Sequence, residues 1–226
     1  MWLRYPKDQH LGFLFSKEIK YEENIRREIL PFIKPGSLVF EIGSNIGQYT
    51  LSLSEHLGTG GQLIAIEPDH DNFSLLAVNC EINHCHNVTL VCKAVSNTEG
   101  VVRFFKDTVT GGRTGSLVEK YTGEHYEGHW EEVQTTTYNQ LIATYGIPHF
   151  VKVDAEGAEE FIFTPATIIH PSTTYFIEVR TETANSIYNR FKSDGFAVYQ
   201  IDHGKTGITD PSVIKGLANL LIYKKQ

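Results

Sequence analysis

Cysteine is scarce in this chain, with three among 226 residues, basic side chains are outnumbered 20 to 27 by acidic ones, and no apolar run reaches the length of a membrane span. So few cysteines, and an odd number of them, give no disulfide framework and suit a reducing compartment. A formal charge of -7 removes the diffuse positive field that would gather phosphates along a nucleic acid. The opening MWLRYPKDQHLGFLFSKEIKYEEN has no long apolar core of a secretion signal, so the expectation is a cytoplasmic protein with neither membrane nor nucleic acid as partner. There is no internal repeat and no low-complexity linker. At 41% hydrophobic residues the length suffices for one sizeable core, read as a single domain over 1–226.

Strand-like runs recur at 37–43 (SLVFEIG), 62–68 (QLIAIEP), 88–95 (VTLVCKAV), 149–155 (HFVKVDA), 174–179 (TYFIEV), 196–201 (FAVYQI) and 219–225 (NLLIYKK). Most are apolar throughout, as strands covered on both faces should be. Between them, apolar residues follow helical spacing: Ile46, Tyr49, Leu53 and Leu57 after Asn45, then Phe73, Leu76, Ala77 and Cys80 after Asp69, and later Ala184, Ile187, Tyr188 and Phe191. Such alternation predicts a parallel sheet with helices on both faces, which binds ligands beyond the carboxyl ends of its strands. Two parts depart from the rhythm. Residues 1–35 read as an arm and a helix from Tyr21 to Ile33, and residues 107–131 read as a lid or binding insertion rich in Gly, His and Tyr.

The stretch EIGSNIGQYT places Glu41 just before Gly43 and Gly47, where a strand gives way to a helix. It lacks the Gly-x-Gly-x-x-Gly that lets a backbone close on a pyrophosphate, and its acid would repel one, which disfavours a dehydrogenase. An acid there favours a cationic ligand. S-adenosylmethionine carries an ammonium and a sulfonium and no phosphate, and Glu67, ending the next strand, suits a ribose diol.

With these pieces in view, the chain resembles the FkbM family of S-adenosylmethionine-dependent methyltransferases from Tyr21 to the last strand. The resemblance rests on VFEIGSNIGQYT, GGQLIAIEPDHDNF, NVTLVCKAVSNTEGVVRFF, GSL, VQTTTYNQLI and FVKVDAEGAEEFIF, in that order, followed by FIEV. It implies a class I, Rossmann-like α/β fold with a seven-stranded, mostly parallel sheet, its last strand antiparallel, and an N-terminal helical extension. It also implies that Glu41, Gly43, Ser44, Asn45 and Gly47 border the methionine part of the cofactor and that Glu67 holds the ribose, flanked by Pro68 and Asp69. The turn Lys93-Ala94-Val95 would offer backbone groups to adenine, and Tyr21 would lean over the cofactor. The family more usually has Asp and Ala where Glu41 and Ser44 stand, and DVEG where this chain has DAEG.

Methyl transfer to an alcohol needs alignment and a proton acceptor. Asp154, ending the KVDAEG strand, is either that base or a ligand of the methionine ammonium, with Glu156 beside it and His125 of the long loop as the rival base. Arg113, Thr114, Ser116, Glu178 and Arg180 are candidates for substrate contact, with a Glu178–Arg180 salt bridge as the plainer reading of that pair. Asp154, Glu156 and Glu178 could together collect Mg²⁺, but a cationic cofactor already accounts for them, so no metal is expected. CEINHCH (80–86) has no second Cys/His pair at zinc-site spacing, and Cys80 continues an apolar helix stripe. The expected activity is O-methylation of a hydroxyl on a small molecule or sugar in a biosynthetic pathway. The alternatives are an N-methyltransferase and a non-catalytic cofactor-binding module.

Overall fold

The computed structural model describes residues 22–107, 115–122 and 128–225. Tyr21, Arg113, Thr114 and His125 lie outside them. The chain begins with α1 (Glu23–Ile29), extended by a 3-10 turn, and then runs β1 (Leu38–Ile42), α2 (Gln48–Leu57), β2 (Gln62–Ile66), α3 (His70–Ile82) and β3 (Val88–Val91). Next come β4 (Ala94–Ser96), β5 (Gly100–Phe105), β6 (Trp130–Thr137), α4 (Tyr138–Tyr145), β7 (Phe150–Val153) and the short α5 (Glu159–Ile162). The remainder is β8 (Thr174–Arg180), α6 (Thr181–Ser193), β9 (Ala197–Gln200), β10 (Thr206–Gly207) and β11 (Leu217–Tyr223).

The main sheet has the order β10-β9-β11-β8-β7-β1-β2-β3. Strands β1, β2, β3, β7 and β8 pair in parallel, and β11 inserts antiparallel between β8 and β9. Seven of these strands match the expectation; the eighth is the two-residue β10, paired antiparallel to β9 at the edge. Side-chain alternation divides the core. Phe40, Ile42, Val151, Val153, Tyr175 and Ile177 face the α4, α5 and α6 side, while Val39, Phe150 and Phe176 join Ile25 and Ile29 of α1 and Tyr49, Leu53 and Leu57 of α2. Glu41, Lys152 and Glu178 have the parity of the second face. That face is where polar groups meet the core.

A second sheet, in the order β4-β6-β5, departs from the expected layout. The run at 88–95, read as one strand, leaves the main sheet after Val91 and resumes as β4 alongside β6. Both halves are apolar, so their composition hides the switch. The expected insertion also ends earlier than 131: Trp130 and Glu131 already pair with Phe105 and Phe104, and Ser116 bridges to Phe105. Alternating exposure along β5 and β6 marks strands with one wet face, packed through Phe104 and Val133.

Candidate functional site

The carboxyl ends of β1, β2 and β7 open onto a cleft lined by Gly43, Asn45, Glu67, Pro68, Lys93, Ala94, Val95, Asp154 and Glu156. Phe104, Gly115 and Leu117 close it from the side of the second sheet. Its enclosed volume is about 70 Å³. Cofactor sites usually hold several hundred.

The turn after β1 is fixed by chain packing upon chain. Gly43 has φ +81°, and a Cβ there would lie 1.8 Å from the Asp154 carbonyl oxygen; Gly47 has φ +98°, and its Cβ would meet Leu76 of α3 at 2.8 Å. The glycines thus let the loop lie against β7 and α3, before any ligand is considered. The Asn79 side-chain amide donates to the Ile46 carbonyl at 2.7 Å and fastens the loop to α3. Two non-glycine residues lining the cleft, Asn45 and Glu156, also have positive φ, at 49° and 47°. Left-handed backbone of this kind gathers where geometry is held for function.

Glu67 is the pivot of the cleft. Its carboxylate accepts the Asn45 N–H at 2.7 Å and the Asp69 N–H at 3.0 Å, so it staples the β1 turn to the end of β2. Burial pushes its pKa up to about 8, although both N–H groups oppose the rise. Each oxygen retains a lone pair for a further donor.

Other expected cofactor contacts have different partners. Glu41 does not line the cleft: it is buried beneath it, accepting the Thr50 hydroxyl at 2.7 Å. Among the described residues its Oε1 has no hydrogen-bond partner, and burial pushes its pKa up to about 7 against the pull of Lys152 and Thr50. Ser44 turns its hydroxyl to the Glu41 carbonyl. Asp69 caps α3 by accepting from the Asp71 and Asn72 amides, and it pairs with Lys106 at 3.3 Å. Ala94 and Val95 are not in a turn but in β4, paired with Thr135 and Thr136.

At the ends of β7 and β8, one oxygen each of Asp154, Glu156 and Glu178 lies within 4.8 Å of the others. Burial and then the Asp154 charge push Glu156 up to about 7 and Glu178 up to about 9, the latter raised also by Glu156. Two cations answer these acids. Lys152, buried in β7, sits 3.2 Å from Asp154 Oδ2 and 4.7 Å from the centre of the Tyr49 ring; Arg180 pairs with Glu156. The plainer reading of Glu178 and Arg180 as a mutual pair is therefore incorrect. Ser116, expected at substrate, is fully buried; it donates to the Glu156 carbonyl at 2.7 Å and accepts from Val118 N–H.

Sequence reasoning gave no role to Lys152, although a lysine inside the apolar run FVKV is a visible signal. It also passed over Phe104 and Leu117, whose place depends on the second sheet. Glu22 accepts the Tyr49 hydroxyl at 2.6 Å, which brings the start of α1 to the same polar group.

Chemically, a cationic ligand would draw the protons from these crowded acids and so be held beside them, next to a carboxylate with free lone pairs. S-adenosylmethionine fits such a site: the Glu67 oxygens suit its diol and the acidic group its positive charges. Residues 41–198 match the Methyltransferase FkbM domain. The fold is similar to that of a precorrin-6y C5,15-methyltransferase from Geobacter metallireducens GS-15, at TM-score 0.55 and 12% identity, covering 93% of each chain. It is also similar to a SAM-dependent O-methyltransferase from Thermotoga maritima, at TM-score 0.54 and 10% identity over 96% of this chain and 71% of that one. No curated protein matches the chain. Among the described residues no helix is long and apolar enough to cross a membrane.

Proposed function

The chain belongs to the FkbM family of S-adenosylmethionine-dependent methyltransferases, and on that premise we propose that it methylates a hydroxyl of a small molecule or sugar in a biosynthetic pathway. When bound, the cofactor supplies a methyl group made electrophilic by positive sulfur. Glu67, already anchored by two backbone N–H groups, orients the ribose through its remaining lone pairs. Asp154, held by Lys152, faces the cofactor's positive charge. The proton of the acceptor hydroxyl passes to Glu156, whose raised proton affinity suits acceptance near neutral pH, while Glu178 stays protonated beside it. A proton acceptor lining the cleft, Glu156, is the observation that favours oxygen over nitrogen as the nucleophile, because an amine needs little help in losing its proton.

Lys152 already offsets the charge of Asp154 and Arg180 that of Glu156, so the proposal needs no Mg²⁺. The overall acidity, at -7, favours a small acceptor over a nucleic acid.

The test begins with calorimetric titration of S-adenosylhomocysteine, with NAD as control ligand, and continues with transfer of labelled methyl to panels of hydroxyl and amine acceptors with and without EDTA. Glu156→Gln should lower the rate on a hydroxyl acceptor by about 10²-fold or more. An unchanged rate in that variant would sink the base assignment and favour an amine acceptor. Loss of activity in EDTA would instead place a metal at the carboxylates.

A further inference from the structure

A different chemistry sits at the far end of α3, away from the cleft. There His84 takes φ 55°, its N–H donates to the Glu81 carbonyl at 3.1 Å, and the Cys85 N–H donates to the Cys80 carbonyl at 3.0 Å. This pair of bonds is the helix-ending motif in which the second residue beyond the helix folds back over the last turn and packs against the residue five positions earlier. Here both members of that contact are cysteines. Cys80 is buried with Ala65 and Leu76, and Cys85 packs on the same cluster while lining an open groove of about 700 Å³ with Ser54, His84 and Asn87.

We propose that Cys80 and Cys85 form a thiol–disulfide redox site that is oxidised by low-molecular-weight disulfides entering the groove, with Cys85 as the attacking thiolate and Cys80 as the resolving thiol. The backbone bond between the two residues already closes the loop that a disulfide would span and holds both side chains on one apolar cluster. Exposure and charge divide the roles. The Cys80 thiol, the Ser54 hydroxyl and His84 hold the Cys85 thiol below its usual pKa, against burial and the Glu55 charge, while the shared hydrogen bond and burial push Cys80 upward. The more acidic, more accessible sulfur reacts first.

In the first step the Cys85 thiolate attacks one sulfur of glutathione disulfide, forming a mixed disulfide and releasing one glutathione thiolate. In the second, Cys80 gives its proton to that thiolate, attacks the Cys85 sulfur and releases the second glutathione thiolate, which takes from solvent the proton that Cys85 had released. Two protein thiols are oxidised to one disulfide and one glutathione disulfide is reduced to two glutathiones. A metal is the rival use of this cluster, but among the described residues no set of three ligating side chains close enough to share an ion includes either cysteine.

The test uses the full chain with Cys92→Ser, so that two thiols remain. After incubation with excess glutathione disulfide and acid quenching, intact mass should show a protein lighter by two hydrogens, with no free thiol. Cys80→Ser in that background should stop at an adduct heavier by one glutathionyl group, and Cys85→Ser should keep Cys80 reduced. Circular dichroism and gel filtration establish that each variant is folded. Two free thiols retained by the parent protein, a mixed disulfide that persists in it, or a disulfide-linked dimer would each overturn the proposal.

Discussion

Replacing Glu178 with glutamine should make the folded protein more stable while it weakens cofactor binding. Burial, then the charges of Asp154 and Glu156, push Glu178 up to about 9 from 4.5. Near pH ~7.5 the folded chain therefore holds a proton at Glu178 that the unfolded chain has released. Holding it across about three pH units costs ~4 kcal/mol at ~1.4 kcal/mol per unit. Glu178 is only half-buried, and solvent screening reduces the figure to about 2 kcal/mol. Glutamine is neutral and nearly the same shape, so the substitution should recover that amount, or roughly 4 to 8 °C in Tm for a chain of this length. The folded pKa lies above the unfolded one, so wild-type protein is most favoured below about 4.5 and loses stability as pH rises toward 9. The variant lacks that slope. Its advantage should be small near pH ~5 and widen up to pH ~8. Thermal melts of both proteins across this range at constant ionic strength measure the gap, and saturating S-adenosylmethionine should narrow it, because a nearby cation lowers the proton affinity of Glu178. A variant that melts below wild type near pH ~7.5, or a gap that ignores pH, would refute the reasoning.

Lys152→Met leaves Glu41 and Asp154 without their shared cation, and urea titration should show a loss of roughly 3 kcal/mol. The loss should shrink below pH about 7, where Glu41 takes up a proton. Glu67→Gln replaces one of two oxygens that accept backbone N–H groups, so it should cost roughly 1 to 3 kcal/mol of stability and at least about tenfold in S-adenosylhomocysteine affinity by calorimetry. Because ribose hydroxyls favour the charged form of a carboxyl whose pKa is about 8, cofactor binding near neutral pH should release a proton. Titrations in buffers of different ionisation heat would read that release, and an observed enthalpy independent of the buffer would refute it. Gly43→Ala puts a Cβ 1.8 Å from the Asp154 carbonyl at φ +81°, and a loss of roughly 3 kcal/mol or more should appear in its melting curve.

Much of this architecture was legible because the signals are local. Apolar strands without alternation gave a sheet covered on both sides, and helical spacing placed α2, α3 and α6 to within a few residues. The carboxylates at the strand ends were found the same way: Glu67 and Asp154 line the cleft where a strand end in a parallel sheet must put them. The departures share one cause. Whether Val88 to Val95 is one strand or two depends on which neighbours each half pairs with, and both pairings join residues far apart in sequence. Glu41 looked like a ligand of the cofactor because it precedes a glycine turn; its depth is set by Thr50 and Lys152, which reach it from α2 and β7.

The sequence by itself determined the class of fold and the run of main-sheet strands, with the acids that end them, since periodicity and turn chemistry act over a few residues. Tertiary structure decided which acids meet. Asp154, Glu156 and Glu178 come from two strands that only lateral pairing makes neighbours, and Lys152 and Arg180 become their partners by the same register. Proton affinity, unlike strand propensity, depends on what surrounds a group in space, so the chemistry of these carboxyls exists only in the folded chain.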